Sequence, residues 1–455
     1  MSNIQKKTID KFFDEEYRNY AMYVIEERAI PSVIDGFKPT QRKVIFASNR
    51  HFKPGSDKVT VVEQLGAHVA STTKYHHGAG SVSGAIVGMT QTFKNSMPLF
   101  YGDGQFGSLR EPSPAAPRYI KVNLNENFHL LYKDFELLTP KFEEGEEIEP
   151  EFFLPIIPAV LLNGTSGIAV GFATNILNRH PIELIDSCLD VLMEKKKIKD
   201  PKPWINKFKG TFARATDSDN SWIITGKHEI LNTTTVRVTE IVPGYTFEDY
   251  ETYINKLLEK GIITSYEDNS NKSIDYTLKF TRAKLSELME TDKLPGVLKM
   301  NSRESENFTT LDEHGSLRIF QSAEEIIRYF VKFRLTYYQK RKDHRISTIE
   351  RQLLILSNRA RFIKGIIDEK IKVNKVKRDD LIRTLETMKF DKVDDSFGYL
   401  IGMPIYSLTF EKYEELLKEM ETQKTELATV KSSNIRDTYT KDLTDLKKKI
   451  EKDFK

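Results

Sequence analysis

The residues most able to do chemistry lie in Pro117-Arg118-Tyr119, downstream of a glycine-rich loop, Gly102-Asp-Gly-Gln-Phe-Gly107, and preceded much earlier by His77 and Arg28. A phenol has a reference pKa of about 10, so it is a modest nucleophile near neutrality but a good leaving group, which suits a reversible covalent step. Taken alone, Arg-Tyr is a weak motif, because an adjacent aromatic and cation commonly mean packing under a snorkelling side chain. Its meaning depends on what positions it.

Other chemistries are excluded by inspection. The chain contains no GxxxxGK[ST] phosphate loop, no HExxH pair and no Cys-His ligand set. Gly164-Thr-Ser-Gly-Ile-Ala-Val-Gly171 lacks the lysine of a phosphate cradle and reads as a turn with close backbone packing. His76 and His77 are sequence neighbours that point in different directions and have no evident third partner, so they do not read as metal ligands. No metal site is expected on this chain.

With 455 residues, 30% charged and 39% hydrophobic, the chain is long enough for two or three domains and has the profile of a folded protein. The single cysteine, Cys188, cannot form an internal disulfide, and the start MSNIQKKTIDKFFDEE lacks an apolar signal core, so a cytoplasmic protein is expected. The apolar stretch from Phe152 to Leu162 is broken by Pro155 and Pro158 and is too short for a bilayer span. Net charge is only +3, yet from Arg28 through Tyr119 eleven Lys and Arg face five Asp and Glu, a local excess of six positive charges. A basic stretch of this kind is either a solvated face or a nucleic-acid footprint.

Three regions follow from the patterning. Residues 1–145 alternate short helices with Gly- and Pro-rich turns, and Val61–Ala70 and Val82–Phe93 read as two helices joined by the polar turn STTKYHHGAG, a helix-turn-helix unit. Residues 146–320 carry strand-like runs at Trp222–Ile224, Val236–Val238 and Ile274–Leu278, with a helix from Phe247 to Lys260 ended by Gly261. Residues 321–455 are rich in Lys, Glu and Leu. There Ile346, Ile349, Leu353, Leu356, Ala360, Ile363 and Ile367 form a heptad seam, and Tyr413, Leu416, Met420, Leu427 and Val430 form a second one, so two arms are expected to pack antiparallel. Between them, Phe397–Tyr406 is too apolar for a plain hairpin tip and reads as a dimer contact in preference to a locally packed globule. The fold class expected is α+β and multidomain.

Read together, the segments resemble the breakage-reunion part of type IIA DNA topoisomerases over nearly the whole chain. Glu27–Lys43 (ERAIPSVIDGFKPTQRK) is similar to the family's early helix-loop signature, and Tyr75-His-His-Gly78, Gly104-Gln-Phe-Gly107 and Ala116-Pro-Arg-Tyr-Ile120 follow in family order. Leu154–Pro158, Asn163-Gly164, Gly167–Asn175 and Gly398–Thr409 match the later blocks. The resemblance implies a winged-helix DNA-binding domain over 1–145, a mixed α/β tower domain over 146–320, and a long antiparallel coiled coil with a dimer-contact globule over 321–455. It also implies that Tyr119 forms a 5′-phosphotyrosyl link to DNA and leaves a free 3′-hydroxyl, supported by Arg118, Arg28 and His77. Lys38, Arg42, Lys43 and Lys74 become candidate phosphate contacts, and Ile168 becomes the apolar wedge that enters the base stack and bends the cleaved duplex.

The family cuts DNA with a divalent metal held by an acidic cluster in a separate fold and uses an ATPase to clamp the second duplex. Neither the Glu-Gly-Asp-Ser signature nor an Asp-x-Asp triplet is placed here to hold Mg²⁺. The expected assembly is therefore a homodimer on double-stranded DNA, joined by a separate subunit that binds Mg²⁺ and ATP, with no membrane association. The chain stops soon after the coiled coil, so no DNA-wrapping domain is expected. Tyr-His-His-Gly and Gln-Phe-Gly resemble the eukaryotic pattern whereas split subunits are the bacterial and phage arrangement, and a phage enzyme working in host cytoplasm reconciles the two. A non-enzymatic DNA-binding dimer would not need Arg118, Tyr119 and His77 together. A tyrosine recombinase would need a different arrangement of Arg and His about its tyrosine.

Overall fold

The computed structural model describes residues 8–452 and 454; the first seven residues of the charged N-terminal stretch lie outside the described residues. The chain divides into two compact units, one running to Arg334 and resuming at Asp442, the other spanning Leu335–Lys441.

In the first unit, helix α1 (Arg18–Val24) runs into a π-wound turn, Ile25–Ala29, which is closed by the Ile30 amide on the Ile25 carbonyl at 3.3 Å. Such i→i+5 turns are rare and frequently accompany functional sites. Helix α2 (Pro39–His51) starts at a proline whose missing N–H costs nothing at that position, and the Gln41 side chain caps it by accepting from the Lys38 amide at 3.0 Å. Strand β1 (Thr60–Val61) precedes helix α3 (Val62–Thr72), and helix α4 (Ala79–Thr90) follows after one turn. In α3 the residues Val62, Leu65, Gly66 and Val69 are buried, the i, i+3, i+4, i+7 stripe that makes a short amphipathic helix pack. Val44, Ile45, Val82 and Ile86 are fully buried on the neighbouring helices, and each stabilises the cluster by roughly 1.5–3 kcal/mol relative to exposure.

Beside these helices lies a three-stranded antiparallel sheet in which β3 (Lys121–Leu124) sits between β1 and β2 (Phe100–Asp103), with Thr60 opposite Val122 and Asp103 opposite Lys121. Further on, strands β4 (Thr165–Ile168) and β5 (Ala173–Ile176) form a hairpin. The middle of the chain builds a four-stranded antiparallel sheet, Lys227–Asn232, Thr235–Glu240, Tyr276–Lys279 and Ser265–Asp268 in spatial order. Val236, Val238, Tyr276 and Leu278 from that sheet pack with Tyr250, Ile254 and Leu257 of the helix Phe247–Glu259. That helix begins at a reciprocal cap between Thr246 and Asp249 and stops before Gly261, whose φ of +64° favours glycine. Cys188 is a free, buried thiol, and burial pushes its pKa up.

Helix α5 (Ala323–Ile367) contributes its latter part to the second unit, where it lies against helix α6 (Phe410–Ser432). The pairing is antiparallel, since Leu356 shares a buried cluster with Leu416 while Arg345 pairs with Glu426 at 2.6 Å further along. Ile349, Leu356, Ala360 and Ile363 are buried as the seam requires, but Ile367 is 41% exposed because it is the last residue of the helix. Phe397 and Leu400 do not stand on an open surface. They are buried with Phe362, Ile371, Leu381, Leu385 and Phe390 in a local globule, which leaves Ile405 and Tyr406 as the strongly exposed residues of that segment, at 86% and 83%. Among the described residues no helix is long and apolar enough to cross a membrane.

Candidate active site

Tyr119 ends a tight turn just before β3, closed by its own amide donating to the Ala116 carbonyl at 2.9 Å. The start of α3 fastens that turn, for the Val62 amide donates to the Ile120 carbonyl at 3.0 Å and the Glu63 amide to the Pro117 carbonyl at 3.3 Å. These amides belong to the first turn of a helix, where they have no intrahelical partner. Ile120 is buried, so the backbone is anchored inward at the position where the Tyr119 side chain turns outward, 69% exposed. Gly104 explains the need for glycine in the preceding loop: its φ is +114°, and a Cβ there would lie 2.9 Å from the Ile120 side chain. The Arg118 guanidinium lies 4.9 Å from the centre of the Tyr119 ring, so a cation accompanies the phenol into solvent. Among the described residues the Tyr119 hydroxyl has no hydrogen-bond partner.

His77 occupies the turn between α3 and α4, and its Nε2 lies 2.6 Å from the Tyr23 hydroxyl of α1. The Tyr75 ring meets the imidazole edge-on at 5.3 Å, while His76 turns away to Glu143 at 2.9 Å. Arg28 is exposed on the π-wound turn. Thus the structure pairs Arg118 with Tyr119, and His77 with Tyr23. Among the described residues no hydrogen bond, ion pair or ring contact joins Tyr119 to His77 or Arg28.

Ile168 is 88% exposed at the end of β4, in a hairpin whose tip is closed by the Ala169 amide on the Phe172 carbonyl at 2.8 Å. The hairpin rests directly on the turn bearing Arg28. A Cβ on Gly167 would fall 2.2 Å from the Ala29 carbonyl oxygen and 3.0 Å from the Lys38 amine. That amine donates to the Ser166 carbonyl at 2.7 Å, and burial lowers its pKa. Lys38 therefore braces the hairpin.

Two of the expected phosphate contacts need correction. Arg42 is buried, donating from Nε and Nη2 to both oxygens of Asp35 at 2.7 and 3.1 Å and to the Phe37 carbonyl at 3.3 Å. Lys43 donates to the Thr73 carbonyl and to buried Glu149, both at 2.8 Å. Their charges are spent inside the protein, because a buried cation needs a partner. Lys74 is partly exposed and pairs with Glu146 at 3.0 Å. The hydrogen bond to Glu146 and the charge of that carboxylate raise the Lys74 pKa.

Two residues escaped the sequence reading. Tyr23 carries no local signal for its bond to a histidine 54 positions away. Arg110 is buried and joins the loop before Tyr119 to Glu240 at 2.5 Å and to the Val242 carbonyl at 3.0 Å, with burial lowering its pKa. Only its position next to the glycine-rich loop hinted at a role. Among the described residues no group of three or more His, Cys, Asp or Glu side chains converges as a resident metal would require.

A mixed α/β chain with antiparallel sheets, carrying an exposed tyrosine on a turn pinned to a helix start, has a clear structural counterpart. A crystal structure of the Plasmodium falciparum topoisomerase II DNA-binding, cleavage and re-ligation domain superposes with a TM-score of 0.84 at 29% identity, over 97% of this chain and 64% of that one. The A-subunit family of DNA gyrase and topoisomerase IV matches residues 28–447, and the chain belongs to that family. Similar proteins include the DNA topoisomerase medium subunit of Enterobacteria phage T4, 34% identical over 98% of this chain and the full length of the phage protein. The mitochondrial DNA topoisomerase 2 of Dictyostelium discoideum is 32% identical over the whole chain, which spans only 36% of that larger protein.

Proposed function

We propose that this chain is the DNA-breaking and rejoining subunit of a type IIA topoisomerase, and that Tyr119 is its nucleophile. The observation that carries the reading is the exposed Tyr119 phenol beside Arg118, on a turn that the protein holds rigidly by three backbone hydrogen bonds. The phenolic oxygen attacks a backbone phosphorus, the O–P bond to the 3′ oxygen breaks, and the phenolic proton is passed on as the 3′-hydroxyl is released; the 5′ end stays on Tyr119. Rejoining reverses this exchange, with tyrosine as the leaving group, so no nucleotide energy is needed for the bond itself. Arg118, Arg28 and His77 supply positive charge and hydrogen-bond donors about the reacting phosphate, and the phosphate itself bridges the two groups.

The helices α2–α4 with the β1-β3-β2 sheet serve as a winged-helix domain within residues 1–145, residues 146–320 as a tower, and residues 321–455 as coiled-coil arms ending in a dimer gate. Ile168 enters the base stack from its braced hairpin, with Lys38 and Lys74 beside the DNA path. Two copies act on double-stranded DNA with a separate ATPase and metal-binding subunit. The full-length similarity to a phage medium subunit supports this division. Mg²⁺ and ATP then belong to that partner, and the host cytoplasm is the working compartment.

The test is ATP-dependent relaxation of supercoiled plasmid by the chain combined with Mg²⁺ and its ATPase partner. Wild type should relax the plasmid and Tyr119→Phe should not, while DNA affinity stays within about twofold. Relaxation by the Phe variant would overturn the assignment.

A further inference from the structure

The bond between the Tyr23 hydroxyl and His77 Nε2, at 2.6 Å, joins a residue of α1 to the turn ahead of α4, and nothing in the cleavage chemistry so far uses it. Exposed side-chain hydrogen bonds usually add little stability, so its value lies in what it does to the imidazole. Tyr23 is 37% exposed, its ring centre is 6.3 Å from that of His77, and Tyr75 flanks the same imidazole edge-on. The ring is thus held on its Nε2 side while His77 itself remains exposed.

We infer that Tyr23 is a positioning residue that fixes the orientation and tautomer of His77, leaving its Nδ1–H as the donor for a DNA phosphate oxygen. A neutral imidazole has one N–H and one lone pair. When Tyr23 donates its O–H to Nε2, the proton sits on Nδ1. The opposite arrangement, Nε2–H donating to the Tyr23 oxygen, would aim the Nδ1 lone pair at the phosphate and repel it. An imidazolium would donate from both nitrogens, so Nδ1–H faces the phosphate in that state as well. The neighbouring His76 cannot substitute, because it is turned to Glu143.

This rests on His77 serving the cleavage site, and the experiment separates the two ideas. The chain, reconstituted with its ATPase and metal-binding partner, is assayed for single-turnover cleavage of a saturating DNA duplex as wild type, Tyr23→Phe, His77→Ala and the double variant. Tyr23→Phe removes one oxygen from a partly exposed ring, so thermal stability and DNA affinity should hold while cleavage slows about tenfold, the scale of one lost hydrogen bond. In the His77→Ala background the same change should cost nothing more, as expected if Tyr23 acts only through His77. Selective ¹⁵N-histidine labelling, with the His77 signal assigned by its loss in His77→Ala, should show the Nδ1–H form falling in Tyr23→Phe. Wild-type cleavage by Tyr23→Phe, an unchanged tautomer signal, or the same tenfold loss in the His77→Ala background would overturn the inference. Wild-type cleavage by His77→Ala alone would instead remove His77 from the cleavage site, and Tyr23 with it.

Discussion

Arg42 offers a sharp test of the difference between a charge that holds the fold and one that meets DNA. Its guanidinium makes two hydrogen bonds to Asp35 and one to the Phe37 carbonyl, with side-chain exposures of 7% and 0% for Arg42 and Asp35. Asp35 also accepts from the Phe37 and Phe153 amides at 2.9 and 3.1 Å, so it ties α2 to two other segments. In Arg42→Met the stem is kept and the charge removed, which strands a buried carboxylate with only those two amides. Breaking one side of such a pair costs about 3–5 kcal/mol, and in a unit of this size the melting temperature should fall by roughly 5 °C. Adding Asp35→Asn should recover part of the loss, because the uncompensated charge disappears. DNA affinity measured over a salt series on folded protein should keep its slope, whereas loss of a phosphate contact lowers the log–log slope by about 0.9. An unchanged melting temperature together with a reduced slope would refute the structural reading and restore Arg42 as a phosphate contact.

Ile168→Ala should leave the melting temperature unchanged, since the side chain is 88% exposed, yet reduce the bend of bound DNA measured by end-to-end energy transfer. Gly167→Ala places a methyl group 2.2 Å from the Ala29 carbonyl oxygen and must lift the hairpin; a stability loss of about 1–3 kcal/mol in denaturant should accompany a cleavage defect larger than the loss of DNA affinity. Ile363→Ala empties a fully buried place in the seam shared with Leu416, and the second unit should lose about 2–5 kcal/mol in chemical denaturation.

Periodic burial was legible in the sequence wherever it was local. The helices expected at Val61–Ala70 and Val82–Phe93 occur as Val62–Thr72 and Ala79–Thr90, displaced at their ends because polar Ser71 and Thr72 continue one helix and the small residues after Gly78 begin the next early. The seam was legible in part for the same reason: Ile349, Leu356, Ala360 and Ile363 are buried, while Ile346 and Leu353 are half-buried and Ile367 is exposed. Charge was less so. Lys38, Arg42 and Lys43 look alike in sequence, but a carbonyl of the β4 strand, Asp35 and distant Glu149 decide what each cation does, and two of those three partners lie more than 100 positions away. Phe397 and Ile405 are equally apolar, yet only Phe397 finds the globule built by the segment before it. The Tyr23–His77 bond is of the same kind, a long-range pairing with no periodic signature.

The most direct measurement is to trap cleaved DNA on the reconstituted enzyme with denaturant, digest protein and DNA, and locate the nucleotide-bearing peptide by mass spectrometry. The peptide containing Arg118 and Tyr119 should carry a nucleotide through its 5′ phosphate on Tyr119, with none recovered from Tyr119→Phe. A nucleotide on any other residue, or linked through a 3′ phosphate, would contradict the account at its centre.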